Sequence, residues 1–426
     1  MIRHPRSIGA PSRPSSGTPH QHLRRVATTS VALLASAGLL AACSSSPKPS
    51  KAQAKSSTTA AAGPIKIGMI TSLTGPYLPL GTNDKLGAEQ EVSAINAAGG
   101  IDGRQVQLIV ENDQTSPTQA IVDYQTLVSD GVVGIVGPVF SSSAMALVPS
   151  VQRAKIPTID TAAADSLVSP TTHYYVFMTP PTTKIVATQL LAYMKAKGLT
   201  KMAVARDTSA FPTAGWDNMK ALAPSYGVSF VTDQKFSLTA TDFTSVLTAV
   251  RSSGAQGLMV WGSGPAEVIL TKQFRSMGLT IPLLFSHAEA SYLYTKTVGA
   301  AGYGAIIASS IGGIGPYLPS SYPGRSTITS FASTFQSANG YYPPEFAFDA
   351  GGAVAMFAKA IRENGATPAG IAKALQTMTI TTGDGTYHFS PTDHSGLTVS
   401  QVAITRDVNG TLEPTAFTKS ALASAS

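Results

Sequence analysis

From Pro64 onward, short apolar runs alternate with amphipathic stretches, and this alternation predicts strands and helices in turn. The run 65–70 is predicted as the first strand and 85–97 as the first helix, which ends at Gly99-Gly100. Continuous apolar runs between helices are typical of parallel strands covered on both faces. The rest of this first series is predicted as strands at 105–110, 131–136 and 157–159 and helices at 117–129 and 145–153.

The same pattern starts again at Tyr174. Two successive strand–helix series of similar length predict an α/β protein with two doubly wound lobes. The tail holds too few elements for a third lobe, so we expect it to complete the first two. The predicted strands are 174–178, 201–205, 228–231, 257–261, 282–285, 305–309 and 399–405, and the predicted helices are 184–197, 215–224, 242–252, 265–277, 327–338 and 347–364.

The amino-terminal segment follows a different pattern. Two arginines, Arg24 and Arg25, precede an apolar run over 31–40, which is shorter than the roughly twenty residues that span a bilayer. The run ends in Leu40-Ala41-Ala42-Cys43, which resembles a bacterial lipoprotein processing site. We therefore predict a signal peptide over 1–42, lipidation of Cys43 and a disordered tether over 43–63. The alternative is a buried segment in which the cysteine is only a small hydrophobic residue.

The single cysteine excludes an intrachain disulfide, and the charge pattern argues against a nucleic-acid partner. The net charge of +7 arises in residues 1–63, which hold eight Lys and Arg and no Asp or Glu. The remaining chain has 22 basic against 23 acidic residues and is close to neutral. Basic residues near the start suit export and an anionic membrane surface. We expect the protein to be anchored on the outer face of the cytoplasmic membrane.

A set of short motifs spans most of the chain after Pro64. They are Ile65-Lys66-Ile67-Gly68, Leu73-Thr74-Gly75-Pro76, Gly87-Ala88-Glu89, 95–101, Val136-Gly137-Pro138 with Ser141-Ser142-Ser143, Asp242-Phe243-Thr244, Gly278-Leu279, and Gly383-Asp384-Gly385 with Phe389. In this order they resemble the leucine/isoleucine/valine-binding family of ABC-transporter solute receptors.

The resemblance implies the type I periplasmic-binding-protein fold, in which two Rossmann-like lobes are joined by a three-stranded hinge. On that fold we assign 64–180 with 310–395 to lobe 1, and 181–309 with 396–426 to lobe 2. The implied function is capture of a small solute between closing lobes and its delivery to ABC permease subunits. No cofactor, metal or catalytic residue is implied, and we expect a monomer.

The segment Ser141–Ser143 follows an apolar strand and opens a helix. Backbone N–H groups at a helix start, together with a serine hydroxyl, form a site suited to an anion. In the family this loop holds the ligand carboxylate, so Ser141 and Ser142 are candidate ligand contacts. The alternative is a serine that only caps the helix.

Three positions depart from the amino-acid-binding pattern of the family. Ala164 stands where the pattern has Thr or Ser, in the loop that also contains Ala162, and Phe211 stands where it has a tyrosine. The acidic residue that pairs with the ligand ammonium falls on His287, although a shift of two residues would give this role to Glu289. Because burying an unpaired ammonium costs several kcal/mol, these departures favour a carboxylate without an amino group.

Aromatic side chains remain as the expected lining of the pocket. Apolar walls with a few polar groups are typical of small-molecule sites, so an apolar or aromatic carboxylate is predicted as ligand, with an amino-acid-like solute as the alternative. Some of these rings can instead belong to the core, and Trp261 is equally compatible with core and cleft. The candidate rings are Tyr77, Phe140, Phe211, Trp261 and Phe346, with His287 beside them.

Two other classes of function are alternatives to a transport receptor. An enzyme is disfavoured because the sequence contains no G-x-S-x-G, P-loop or H-E-x-x-H motif and no Cys/His cluster. A sensor subunit that reports ligand occupancy to a signalling partner stays open, since the same fold serves transport and sensing.

Overall fold

The computed structural model describes residues 63–424. The predicted signal peptide, Cys43 and all of the predicted tether except Gly63 lie outside the described residues. Within the described part, no helix is long and apolar enough to cross a membrane.

The first strand–helix series forms a five-stranded sheet in which every strand pair is parallel. Its strands are β1 (Ile65–Thr71), β2 (Val106–Asn112), β3 (Ile135–Val136), β4 (Thr158–Asp160) and β5 (Val176–Met178), in the order β2-β1-β3-β4-β5. The helices of this series are α1 (Leu78–Ala97), α2 (Pro117–Ser129) and α3 (Ser141–Ala154).

The second series builds a second, larger sheet. Its helices are α4 (Thr183–Ala196), α5 (Ala210–Tyr226), α6 (Thr244–Ser252), α7 (Pro265–Ser276) and α8 (Tyr292–Val298). Its strands are β6 (Lys201–Asp207), β7 (Ser229–Phe236), β8 (Gly257–Trp261), β9 (Leu283–Phe285) and β10 (Ile306–Ser310), which pair in parallel in the order β10-β9-β8-β6-β7.

The tail contributes to both halves. Its elements are α9 (Arg325–Asn339), α10 (Glu345–Asn364), α11 (Pro368–Leu375), β11 (Thr379–Thr382), β12 (Gly385–His388), β13 (Val402–Val408), β14 (Thr411–Pro414) and α12 (Ala416–Ser424). The strands β13 and β14 extend the second sheet beyond β10 in antiparallel fashion. Apolar residues of α10, α11 and the β11–β12 hairpin share a core with β1. The chain thus passes between the two halves three times, after β5, β10 and β12.

This architecture of two mainly parallel sheets confirms the predicted α/β fold class. The sheet memberships are compatible with the predicted lobe boundaries, which stay a prediction at the level of single residues.

Helix α1 begins at Leu78, seven residues before its predicted start. Pro79 lies in the first turn of this helix, where proline is well tolerated. Gly81 is required by close packing, because a Cβ atom there would lie 2.2 Å from the Ser72 carbonyl oxygen. Sequence patterns alone do not reveal such a contact.

Helix α10 packs closely on α1, and this packing places the start of α10. A Cβ atom at Gly87 of α1 would lie 2.0 Å from the carbonyl oxygen of Ala347 in α10. The two backbones therefore approach as closely as they do only because residue 87 is glycine.

Other predicted boundaries also differ. The predicted strand 131–136 pairs only at Ile135 and Val136, and α3 begins at Ser141 rather than Met145. The helices α8, α11 and α12 and the strand β14 were not predicted, since each is short and carries few periodic apolar positions.

Candidate ligand-binding site

The loops that follow β1, β3 and β4 of the first sheet meet those that follow β6, β8 and β9 of the second. Ligands in open parallel sheets bind at these carboxyl ends of the strands. The space enclosed there is about 20 Å³, little more than one water molecule requires. The lining side chains are therefore nearly in contact with one another. The lining residues are Tyr77, Leu80, Val139, Ser141, Thr161, Ala163, Pro180, Phe211, Ser263, His287, Ala288, Phe346 and Asp349.

Five of the nine predicted ligand-binding residues line this cavity: Tyr77, Ser141, Phe211, His287 and Phe346. Each lies at or near the start of the helix that follows a strand or a chain crossing. All five are less than 9% exposed. The structure thus brings together residues that are up to 269 positions apart in the chain.

The other four predicted residues lie outside the cavity lining. Ala162 and Ala164 are buried in the hydrophobic core beside α3, because their side chains point away from the cavity while that of Ala163 lines it. Phe140 packs its ring against that of Tyr77, with centroids 4.8 Å apart. Ser142 Oγ accepts a hydrogen bond of 3.2 Å from the backbone N–H of Ala210. None of the four lines the cavity in this structure, and their role as ligand contacts stays a prediction.

Two positions that the sequence left open are now placed. Trp261 is fully buried beneath Phe211, with ring centroids 5.9 Å apart, and does not line the cavity. His287 lines the cavity, whereas Glu289 accepts a hydrogen bond from Ser286 on the far side of that loop.

The start of α3 offers hydrogen-bond donors to the cavity. Phe140 occupies the N-cap position and provides no side-chain hydrogen bond to the first turn. The first backbone N–H groups of a helix have no partner within the helix, and the helix dipole favours an anion there. Ser141, only 1% exposed, adds its hydroxyl at this point. A carboxylate in the cavity could accept hydrogen bonds from both.

His287 presents a neutral imidazole. Burial lowers its pKa to about 3, so the ring is uncharged at neutral pH. Its Nε2 atom lies 3.9 Å from Glu345 Oε1, and its ring meets the Phe211 ring edge-on at 5.3 Å. Nδ1 has no hydrogen-bond partner among the described residues. His287 therefore contributes a polar but uncharged atom to the site.

A cluster of buried carboxyl groups lies behind the α10 side of the cavity. Glu345 Oε2 accepts a hydrogen bond of 3.0 Å from Ser310 N, and Asp384 Oδ1 accepts one of 2.7 Å from Ser310 Oγ. Burial, and then the proximity of Asp384, raise the pKa of both Glu345 and Asp349 well above the usual range. Burial raises the pKa of Asp384 to about 7. The cluster therefore holds protons under conditions in which exposed carboxyl groups are ionised.

A second group of buried acids lies behind the opposite side, near Tyr77 and Ser263. Burial is the main cause that raises the pKa of Asp207, Glu267 and Glu289, and neighbouring carboxyl groups add to it for the two glutamates.

Among residues 63–424, no group of three or more His, Cys, Asp or Glu side chains is arranged to hold a metal ion.

Sequence reasoning missed several lining residues, of which Asp349 is chemically the most informative. It lies three residues after Phe346 in α10, so both face the same side. The stretch 346–358 is apolar except for Asp349, and an acid in such a stretch was the signal that could have identified it. Ser263 and Thr161 follow β8 and β4, and only the predicted strand ends pointed to them.

A model of the periplasmic binding protein family matches residues 64–410. The leucine-, isoleucine-, valine-, threonine- and alanine-binding protein of Pseudomonas aeruginosa is 25% identical over 338 residues, which are 77% of this chain and 86% of that protein. Leu/Ile/Val-binding protein homolog 3 of Brucella melitensis is 28% identical over 225 residues, 52% of this chain and 60% of that protein.

Solved structures share the fold. An extracellular ligand-binding receptor from Rhodopseudomonas palustris superposes with a TM-score of 0.77 at 21% identity, covering 83% of this chain and all of that one. The substrate-binding protein LivJ of Streptococcus pneumoniae, in complex with isoleucine, gives 0.74 at 22% identity, with 82% and 98% covered. A solute-binding protein of an R. palustris ABC transporter, in complex with benzoate, gives 0.74 at 20% identity, with 83% and 95% covered.

Proposed function

The chain belongs to the periplasmic binding protein family, and on that premise we propose that it captures a small organic carboxylate with an apolar or aromatic body. The observation that carries this proposal is the start of α3, where Ser141 and unpaired backbone N–H groups face a cavity with aromatic walls. We propose that the carboxylate is held there and that the body of the solute lies against Tyr77, Phe211 and Phe346.

The ligands of related proteins support this proposal. The P. aeruginosa relative is named for aliphatic amino acids, and the two structural neighbours hold isoleucine and benzoate. All of these ligands carry a carboxylate, whereas only the amino acids carry an ammonium. The shared group is the one that the α3 end of this cavity is suited to bind.

We further propose that binding closes the two halves and that the closed form delivers the solute to an ABC permease. A solute shifts this equilibrium only if it binds the closed form more tightly than the open form. The cavity draws residues from both sheets, so a solute within it contacts both halves at once. On this proposal the protein acts by binding and not by catalysis.

A calorimetric titration with benzoate, 3-phenylpropanoate and L-isoleucine tests the carboxylate site. We expect Ser141→Asp to weaken binding by about 100-fold or more, because a carboxylate there repels the solute and occupies the helix end. Ser143→Ala is the matched control, since Ser143 lies in the same turn, is buried and does not line the cavity. The proposal fails if none of these carboxylates binds, or if Ser141→Asp leaves their affinity unchanged.

The lipid anchor is proposed separately. We propose that the chain is exported and held at the membrane through lipid on Cys43. Two or more acyl chains are needed for stable anchoring, as one alone gives only marginal binding. Cys43→Ala should move the protein from the membrane fraction to the soluble fraction. Continued membrane association of this variant would contradict the anchor without affecting the proposed ligand site.

A further inference from the structure

We infer that Asp349 determines specificity by accepting a hydrogen bond from an N–H or O–H group of the solute. The solute would then carry such a donor in addition to its carboxylate. This inference rests on the proposed carboxylate-binding function and names the second group that the site recognises. The resemblance to amino-acid receptors pointed instead to the loop after β9, where this chain has His287 or Glu289.

The state of Asp349 is unusual for a buried acid. Its side chain is 0% exposed, and neither carboxyl oxygen has a hydrogen-bond partner of ordinary geometry among the described residues. Buried polar atoms are almost always paired, because leaving one unpaired costs about 1–3 kcal/mol. Asp349 also lines the cavity. A solute is therefore the group placed to supply the missing donor.

Among residues 63–424, the charged groups that act on Asp349 are all carboxyl groups. Asp384 lies beside it, and two carboxyl groups can be joined only by a proton that one of them carries. Such a bond occupies one oxygen of Asp349 and leaves the other free. The titratable groups that face Asp349 are Asp84 of α1, Glu345 of α10, Asp384 of the β11–β12 turn and Tyr387 of β12, with His287 next to Glu345.

His287 and Glu289 do not take this role. The imidazole of His287 is neutral, and Glu289 is turned away from the cavity toward Ser286 and Glu267. The acceptor in the cavity comes instead from α10. Its position depends on the close packing of α10 against α1 at Gly87.

The test uses three probes with the same body on the full-length protein. 3-Phenylpropanoate has no donor besides its carboxylate, L-phenylalanine adds an ammonium, and 3-(4-hydroxyphenyl)propanoate adds a phenolic hydroxyl. We expect one of the two donor-bearing probes to bind at least tenfold more tightly than 3-phenylpropanoate. A site built to bind a donor discriminates strongly against the analogue that lacks it.

The variant Asp349→Leu should reduce this ratio to about one. Circular dichroism and a cooperative thermal transition show whether the variant is folded. If Asp349→Leu fails to fold, Asp349→Asn replaces it and should lower the ratio for L-phenylalanine at least tenfold. Asp217→Asn is the control, since Asp217 is exposed and does not line the cavity, and it should keep the preference.

Proton release distinguishes the two donors. An ammonium stabilises ionised Asp349, so its binding should release about one proton per solute to the buffer, measured by calorimetry in buffers of different ionisation enthalpy. A phenolic hydroxyl should bind without release. The inference is overturned if 3-phenylpropanoate binds as tightly as both other probes, or if the preference survives Asp349→Leu. If no probe binds at all, the proposed carboxylate function fails together with it.

Discussion

The wall of the cavity built from α3 differs chemically from the wall built from α10. The α3 wall presents Val139, Ser141 and Ala163, with free N–H groups and no titratable side chain. The α10 wall presents Asp349 and Phe346, with Glu345 and Asp384 behind them. One wall therefore supplies donors and the other supplies acceptors. On the proposed function, this asymmetry would orient a bound solute with its carboxylate at α3 and its donor at α10.

The largest effect is expected from a substitution that displaces the α10 wall and leaves the α3 wall in place. Gly87→Ala places a Cβ atom against the Ala347 carbonyl oxygen, which no rotamer change can relieve. We expect the free energy of unfolding to fall by about 3 kcal/mol in urea denaturation. Ser93→Ala on the exposed face of α1 is the control and should change it by less than about 0.5 kcal/mol. Equal stability of the two variants would show that α1 and α10 are less tightly packed than described.

The second effect concerns pH, since titratable side chains lie at and behind the α10 wall and none belongs to the α3 wall. The pKa of Asp384 rises from 3.8 to about 7 on folding, so its stabilising contribution is complete below pH 3.8 and lost as the pH rises through 7. The wild type should therefore lose free energy of unfolding between pH 5 and pH 8. In Asp384→Asn this loss should be smaller by about 1–3 kcal/mol. Denaturant unfolding at both values measures this, with the exposed Asp217→Asn as control.

His287 titrates in the opposite sense. Its pKa falls from 6.5 to about 3 on folding, so its contribution is complete above pH 6.5 and lost as the pH falls toward 3. Lowering the pH from 7 to 4.5 should therefore reduce the free energy of unfolding less in His287→Gln than in the wild type, as measured by denaturant unfolding at both values. Curves of stability against pH that run parallel in Asp384→Asn, His287→Gln and the wild type would contradict the described difference between the walls.

A smaller effect is expected where the two sheets meet directly. Tyr77, which precedes α1, and Ser263, which follows β8, are joined by a buried hydrogen bond between their hydroxyl groups. Tyr77→Phe leaves the Ser263 hydroxyl without this partner and should reduce unfolding free energy by about 1–2 kcal/mol. Tyr77→Phe/Ser263→Ala should recover part of the loss. No recovery in the double variant would show that the two hydroxyl groups are not energetically coupled.

The smallest effect is expected at Ser142, which links α3 to α5 without lining the cavity. Ser142→Ala removes the hydrogen bond from Ala210 N and should weaken solute affinity about two- to tenfold through the closed form. This is less than the loss expected for Ser141→Asp. If Ser142→Ala weakened binding as much as Ser141→Asp, the assignment of the carboxylate contact to Ser141 would need revision.

Site residues that depend on neighbours in the chain could be predicted, and those that depend on distant segments could not. Ser141 was predicted from a local pattern, a serine that opens a helix directly after an apolar strand, whereas Phe211 was predicted from the family resemblance. Ala163 was missed by one position, since side-chain direction in the irregular loop after β4 has no fixed period. Asp349 was missed because the sequence of α10 alone does not show that its first turns reach a cavity lined by the loops after β1, β3 and β9.

By itself, the sequence determined the α/β class, the two strand–helix series, the family and the serine-bearing helix start, because periodicity and capping are properties of neighbouring residues. Only the tertiary structure decided that His287 rather than Glu289 lines the cavity and that Asp349 lines it beside Asp384. It also revealed that α1 and α10 touch at Gly87. Those features depend on packing between segments that are more than 200 residues apart in the chain, and local patterns do not encode the direction in which a buried side chain points.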